Sequence, residues 1–202
     1  MIKAGISISG GQFKGHRLQV PRHGVRPTSS KIREALFSML EHHFKITTNL
    51  QYNFALDLCA GTGALGLEAL SRGIEHCLFI EKHRQGASIL EQNLEKFPLP
   101  PECWQLAVVD GLKFLKSPHK FDPLGWIKMA AGWTIFCDPP YNQPVMNWLK
   151  AIFESVFWLK PCILALETGP LEALELNAWP SVELVFQKDY KETMLWVLKN
   201  DL

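Results

Sequence analysis

From residue 52 onward, short apolar runs alternate with stretches of helical periodicity, and that alternation confines the chain to βαβ units around a largely parallel sheet. The spacing predicts strands at 53–59, 76–81, 104–109, 133–137 and 162–167, with helices between them at 64–72, 84–96, 111–116 and 145–158. Two further β-rich runs, 182–187 and 193–198, are separated by polar Lys188, Asp189, Tyr190 and Lys191, which is the spacing of an antiparallel hairpin. The predicted fold class is α/β: a mostly parallel sheet flanked by helices, closed by an antiparallel C-terminal hairpin. A length of 202 residues suits one domain with a small appendage, and 47% hydrophobic with 20% charged residues is the composition of a chain that folds alone.

After the first of these strands the chain reads Asp57-Leu58-Cys59-Ala60-Gly61-Thr62-Gly63-Ala64-Leu65-Gly66 and enters a helix. Gly61, Gly63 and Gly66 fit G-x-G-x-x-G, in which glycines permit a tight turn and close backbone approach to a ligand. Glu81 closes the second strand, 20 residues beyond Gly61, where a carboxylate can accept from both hydroxyls of an adenosine ribose. Asp57 divides the candidate ligands. A carboxylate four residues ahead of the glycine turn repels a diphosphate and attracts an ammonium, so S-adenosylmethionine (SAM), with its amino group, sulfonium and ribose, fits better than NAD. Asp110, at the end of the third strand, is placed to accept from the adenine amine. Three acids at successive strand ends point to a single crevice.

The fourth strand runs into Asp138-Pro139-Pro140-Tyr141. Two prolines fix φ and carry no amide donor, so the carbonyls around them are rigidly aimed acceptors. That suits the exocyclic amine of a nucleobase, whose lone pair is delocalised into the ring. If the Asp138 carboxylate and the Pro139 carbonyl each accept one N–H, the nitrogen can pyramidalise as it attacks a methyl group, and the charge it develops meets acceptors already in place. Tyr141 is placed to stack on the base. The expected catalytic set is therefore Asp138, Pro139, Pro140 and Tyr141, and the cofactor set Asp57, Gly61, Gly63, Glu81 and Asp110. This corner alone does not separate guanine N2 from adenine N6 or cytosine N4.

The net charge of +1 conceals a division. Residues 1–33 carry seven basic side chains and no acid, while the remainder holds 14 basic and 20 acidic residues, a balance of −6. A +7 segment attracts a polyanion through Coulomb forces and counterion release, and nucleic acid is the natural partner. Ile6, Ile8, Phe13, Leu18 and Val20 around Gly10, Gly11 and Gly15 suggest a short hairpin as a platform for the charge, and Pro21 and Pro27 punctuate its exit. A helix is predicted to start at Ser29 or Ser30, packing Ala35, Leu36, Met39 and Leu40 on the body and offering Lys31 and Arg33 to the same partner. The expected nucleic-acid contacts are Lys14, Arg17, Arg22, Arg26, Lys31 and Arg33. Residues 1–50 thus read as a basic extension and 51–202 as the body.

Other classes recede. No uncharged stretch reaches the roughly 18 residues of a membrane span, and the first residues lack a secretory signal, so a cytoplasmic location is expected. Five scattered cysteines without a C-x-x-C pair read as buried free thiols, and no His or Cys spacing suggests a metal site. The tryptophans fall mostly in apolar patterns and read as core.

Residues 57–66, Glu81, Asp110 and 138–141 resemble the successive motifs of class I SAM-dependent methyltransferases that modify exocyclic amines. In addition, Ser9-Gly10-Gly11-Gln12-Phe13-Lys14-Gly15-His16-Arg17-Leu18, Arg26-Pro27-Thr28 and Lys31-Ile32-Arg33-Glu34-Ala35-Leu36-Phe37 resemble the N-terminal region of bacterial 16S rRNA guanine-N2 methyltransferases. The resemblance spans nearly the whole chain. It implies a seven-stranded Rossmann-like class I methyltransferase sheet, SAM as donor, and a guanosine of 16S rRNA as acceptor, met by a monomer on the small ribosomal subunit or its assembly intermediate. Ser7 and His16 stand where that family commonly has arginines, which lowers the charge of the expected RNA surface. The alternatives are an adenine-N6 DNA or RNA methyltransferase and a non-catalytic RNA-binding ribosome assembly factor.

Overall fold

A computed structural model describes residues 5–20, 29–46, 48–140, 143–170 and 173–200. Among them seven strands form one sheet: β1 (Phe54–Asp57), β2 (His76–Glu81), β3 (Trp104–Val108), β4 (Trp133–Cys137), β5 (Cys162–Thr168), β6 (Glu183–Asp189) and β7 (Met194–Asn200). The order is β3-β2-β1-β4-β5-β7-β6, with parallel pairings except those of β7, which runs antiparallel to both neighbours. This is the predicted α/β class, with its antiparallel C-terminal pair. The strand order reverses where β1 lies beside β4, and a crevice therefore opens at the carboxyl ends of those strands.

The helices are α1 (Ser30–Phe44), α2 (Ala64–Ser71), α3 (Arg84–Leu94), α4 (Gly111–Lys116), α5 (Trp126–Met129) and α6 (Val145–Phe153). Alternate strand side chains feed two cores. Ala55, Phe79, Phe136 and Ala165 pack with Phe37 of α1, Leu67 of α2 and Leu90 of α3 on one face. Leu56, Ile80, Ile135 and Leu164 pack with Phe114 of α4, Trp126 of α5 and Trp148 of α6 on the other. Burial on both faces is why the central strands read as unbroken apolar runs rather than alternating ones.

Three local expectations change. The helix predicted over 145–158 ends at Phe153, because the Ser155 hydroxyl and amide both turn back onto the Ile152 carbonyl (2.7 and 3.0 Å). Phe157 and Trp158 still reach the core from the irregular segment that follows. The short α5 had no sequence counterpart; the Asp122 carboxylate caps it by accepting from the amides of Trp126 (2.8 Å) and Ile127 (2.9 Å). Among the described residues the N-terminal hairpin forms no regular strand pair: one isolated bridge, Ser7 opposite Arg17, is backed by backbone bonds from the Ile8 amide to the His16 carbonyl (3.0 Å), the Gly15 amide to the Ile8 carbonyl (2.9 Å) and the Leu18 amide to the Ile6 carbonyl (2.8 Å), and side chains tie it to the body.

That arm is bolted to the body. Ile8, Phe13 and Leu18 are buried in the same cluster as α1, α2 and α3. At its centre lies Glu68 of α2, fully buried, whose carboxylate accepts from the Ser9 amide and hydroxyl (both 2.7 Å) and from Arg72 Nε (2.9 Å). Arg33 lies 3.9 Å from the same carboxylate, and its Nη2 donates to the Ser7 carbonyl at 2.6 Å. Ser71 adds a second anchor, accepting from the Phe13 amide and donating to the Gly10 carbonyl. Arg33 was expected to face phosphate; it is instead wholly buried and spent on holding the arm. Burial lowers its pKa, opposed by the nearby Glu68 and Glu167.

A buried charge without its counter-ion costs several kcal/mol. Glu68→Ala is expected to reduce the unfolding free energy by about 3 kcal/mol or more in urea titrations and to speed hydrogen exchange across residues 8–18. Unchanged stability and exchange would mean that apolar packing alone holds the arm.

Candidate active site

β1 ends in the buried Asp57, and the chain then turns sharply through Gly61 and Gly63, both with positive φ (52° and 78°). The two glycines have different duties. Gly61 lines the crevice, whereas a Cβ on Gly63 would lie 2.3 Å from the Leu90 side chain, so Gly63 lets α2 settle against α3. Gly66 likewise admits the Phe79 ring. The sequence reading gave the turn one role, approach to a ligand; packing takes the larger share.

The crevice has a volume of about 370 Å³, within the range of small-molecule sites. Its floor and walls bring together Gly61, Glu81, Asp110, Asp138, Pro139 and Pro140, with Leu58, Ile80 and Trp148 as apolar surface and exposed Lys82 and His83 at the rim. Glu81 is the organiser. Its Oε2 accepts from the Gly61 amide (3.0 Å) and its Oε1 from the His83 amide (2.7 Å), so one carboxylate joins the glycine turn to the end of β2. A carboxylate offers about four acceptor positions, and two remain for a ligand hydroxyl pair. Asp110 spends Oδ1 on the Lys113 amide (3.1 Å) as the N-cap of α4. Asp138 is half-buried, Pro139 buried and Pro140 half-buried.

Asp57 and Gly63 are not in that lining. Asp57 lies beneath the turn, 2% exposed, and its Oδ2 accepts from the Gly66 amide at 3.0 Å. The N-terminal amide of α2 that a diphosphate would seek is thus taken by the protein's own carboxylate. Burial pushes the Asp57 carboxyl up to about 7, helped by the neighbouring Glu81 and opposed by the amides of Gly66 and Cys59. Tyr141 lies outside the described residues, as do Arg22 and Arg26. Lys14, Arg17 and Lys31 are exposed.

Two wall residues escaped the sequence reading. Trp148 was grouped with the core, yet it borders the crevice, held by a hydrogen bond from Nε1 to Gln143 Oε1 (3.0 Å) and packed where a Cβ on Gly111 would come within 2.7 Å. Cys59, expected as a buried thiol, is only partly covered and borders the crevice. Its hydrogen bond with Cys137, and then burial, hold its pKa well above the ordinary value, so it stays a thiol and not a nucleophile. Among the described residues no group of three or more His, Cys, Asp or Glu side chains could hold a metal, and no helix is long and apolar enough to cross a membrane.

The strand order with its antiparallel β7, and the acid-lined crevice at the point where that order reverses, define a Rossmann-like class I methyltransferase fold. The Escherichia coli protein yhhF superposes with a TM-score of 0.77 over 98% of this chain and 99% of its own at 24% identity. The human methyltransferase 10 domain containing protein does so with 0.63 over 93% and 90% at 15%. The particular family follows from sequence: residues 6–199 match the model described as conserved hypothetical protein 95, and the chain belongs to that family. Ribosomal RNA small subunit methyltransferase D of Escherichia coli K12 is 32% identical over 158 residues, 76% of this chain and 69% of its own. Its counterpart in Haemophilus influenzae is 29% identical over 163 residues, 79% and 76% of the two chains.

Asp57 has a measurable signature. Its folded pKa of about 7 lies above the unfolded value near 3.9, so the folded protein retains a proton that the unfolded chain releases between about pH 4 and pH 7. The stability it contributes is fully present below about pH 4 and is lost as pH rises to about 7, by up to roughly 4 kcal/mol. Urea unfolding from pH 4 to pH 8 is expected to show this decline in the wild type and to lose it in Asp57→Asn; the same slope in both would assign the proton to another group.

Proposed function

We propose that the chain transfers a methyl group from SAM to the exocyclic N2 amine of a guanosine in 16S rRNA, in the cytoplasm, on the small ribosomal subunit or an assembly intermediate. The observation that carries this reading is the convergence of Glu81, Asp110 and the Asp138-Pro139-Pro140 corner on one crevice. The substrate class rests on the ribosomal RNA small subunit methyltransferases that the chain resembles. The donor set fits SAM and opposes a dinucleotide: carboxylates line the pocket, and the α2 amide that would bind a diphosphate is occupied by Asp57.

SAM, when bound, supplies an electrophilic methyl group on its sulfonium. Glu81 holds the ribose hydroxyls with the acceptor positions left by Gly61 and His83, and Asp110 accepts from the adenine amine. Gly61 keeps the turn clear, Gly63 seats the helix behind it, and Asp57 places negative charge under the methionine ammonium, which in turn favours its ionised form. At the other wall the Asp138 carboxylate and Pro139 carbonyl accept the two N–H groups of the target amine, Pro140 stiffens the corner, and Tyr141 stacks on the base. The acceptors draw the nitrogen lone pair out of conjugation and stabilise the positive charge that develops there, with Asp138 taking up the proton released. Residues 1–50 supply the RNA contact through Lys14, Arg17, Arg22, Arg26 and Lys31, and residues 51–202 the reaction.

Asp138→Ala is expected to lower kcat by at least about 100-fold while SAM affinity stays within a few-fold. Wild-type protein incubated with small subunits lacking the modification is expected to yield N2-methylguanosine on nucleoside mass spectrometry. Full activity in the variant would remove Asp138 from the mechanism, and methyl on adenine would replace the acceptor.

A further inference from the structure

A second cavity, about 780 Å³, is separate from the crevice. It is a groove between α4, the segment after it, and α6, on the face of the sheet opposite the N-terminal arm. It begins where the crevice ends: Gly111 and Trp148 wall the crevice, and their chain neighbours Leu112 and Asn147 open the groove. Its floor is apolar, from Leu112, Leu115, Ala151 and Val156.

Its rim is basic. Lys116, Lys120 and Lys150 line it and are exposed, and Lys116 and Lys120 meet no carboxylate among the described residues. Lys150 lies 4.0 Å from Glu154, both side chains more than 60% exposed, a pair that solvent leaves weak. Residues 111–121 carry Lys113, Lys116, Lys120 and His119 with no acid, although residues 34–202 together balance at −6. An acidic protein surface would meet the same lysines, and the test below separates it from RNA. Ammonium groups spaced along an apolar trough fit an unpaired polynucleotide, whose phosphates take the charges while its bases lie on the floor.

We propose that this groove binds a single-stranded RNA segment next to the target nucleotide, so that the substrate is gripped on both faces of the sheet, by the arm on one and the α4–α6 groove on the other. The inference rests on the function proposed above and adds a second contact surface to it.

The test is fluorescence anisotropy of an 18-nucleotide oligouridine, and of small subunits lacking the modification, against the wild type and Lys116→Ala/Lys120→Ala/Lys150→Ala across a salt series. Because the substituted side chains are exposed and outside the crevice, the variant should keep its thermal midpoint and its SAM affinity. Its RNA affinity is expected to drop by about tenfold at low salt, and the slope of log affinity against log salt to become shallower by about 2, at ~0.7 for each of three lost phosphate contacts. An unchanged slope with wild-type RNA binding intact overturns the groove alone. Unchanged oligouridine binding with weakened subunit binding assigns the surface to a ribosomal protein and also overturns it. Absence of RNA binding by the wild type overturns both the groove and the function on which it rests.

Discussion

The Glu81 carboxylate, clasping the Gly61 amide on one oxygen and the His83 amide on the other, is the interaction on which the site depends. It joins two segments 20 residues apart in sequence and closes the glycine turn over the end of β2. A turn held by an acid rather than left as free amides has a different electrostatic character. With Asp57 taking the α2 amide below it, the pocket attracts hydroxyls and cations and turns phosphates away. The donor pattern of the pocket is thereby unlike the one a diphosphate requires.

A second buried carboxylate does comparable work for the N-terminal arm. Glu68 gathers Ser9, Arg33 and Arg72, and converts a short, glycine-rich hairpin into a fixed part of the core. Fixing the arm fixes where Lys14 and Arg17 stand relative to the crevice. Asn93 tightens the same link: fully buried, it accepts from the Gln19 amide, and its Nδ2 donates to the carbonyls of Gln19 and of Thr62 within the glycine turn. The surface proposed to meet RNA and the turn proposed to meet SAM are thus tied by one side chain.

Much of this was legible in the sequence, for identifiable reasons. β2 and β4 were read to the residue because strands buried on both faces are unbroken apolar runs with sharp polar or glycine ends. The acids at strand ends were legible because a parallel sheet delivers its carboxyl ends to one edge. Arg33 was misplaced although its signal was present: it stands three, four and seven residues before Leu36, Phe37 and Leu40, on the buried stripe of α1. Asp57 lies beneath the turn and not in the crevice lining, a distinction that spacing along the chain does not carry, because it does not say on which side of a turn a side chain emerges. Trp148 was hidden by its own apolar helix, and the early end of α6 depended on a serine that competes for a backbone carbonyl. Glu68 is a lone acid in the apolar helix ALGLEALS, a pattern that marks a buried partner without naming it.

The central claim is that Glu81 shapes a pocket for an adenosyl donor. Isothermal titration of SAM into the wild type and Glu81→Ala tests it directly, with circular dichroism to establish that the variant is folded. Binding by the wild type, weakened by more than about tenfold in a folded variant, is the result predicted for lost hydrogen bonds to a charged acceptor. No heat of binding in the wild type, or equal affinity in the two proteins, would contradict it.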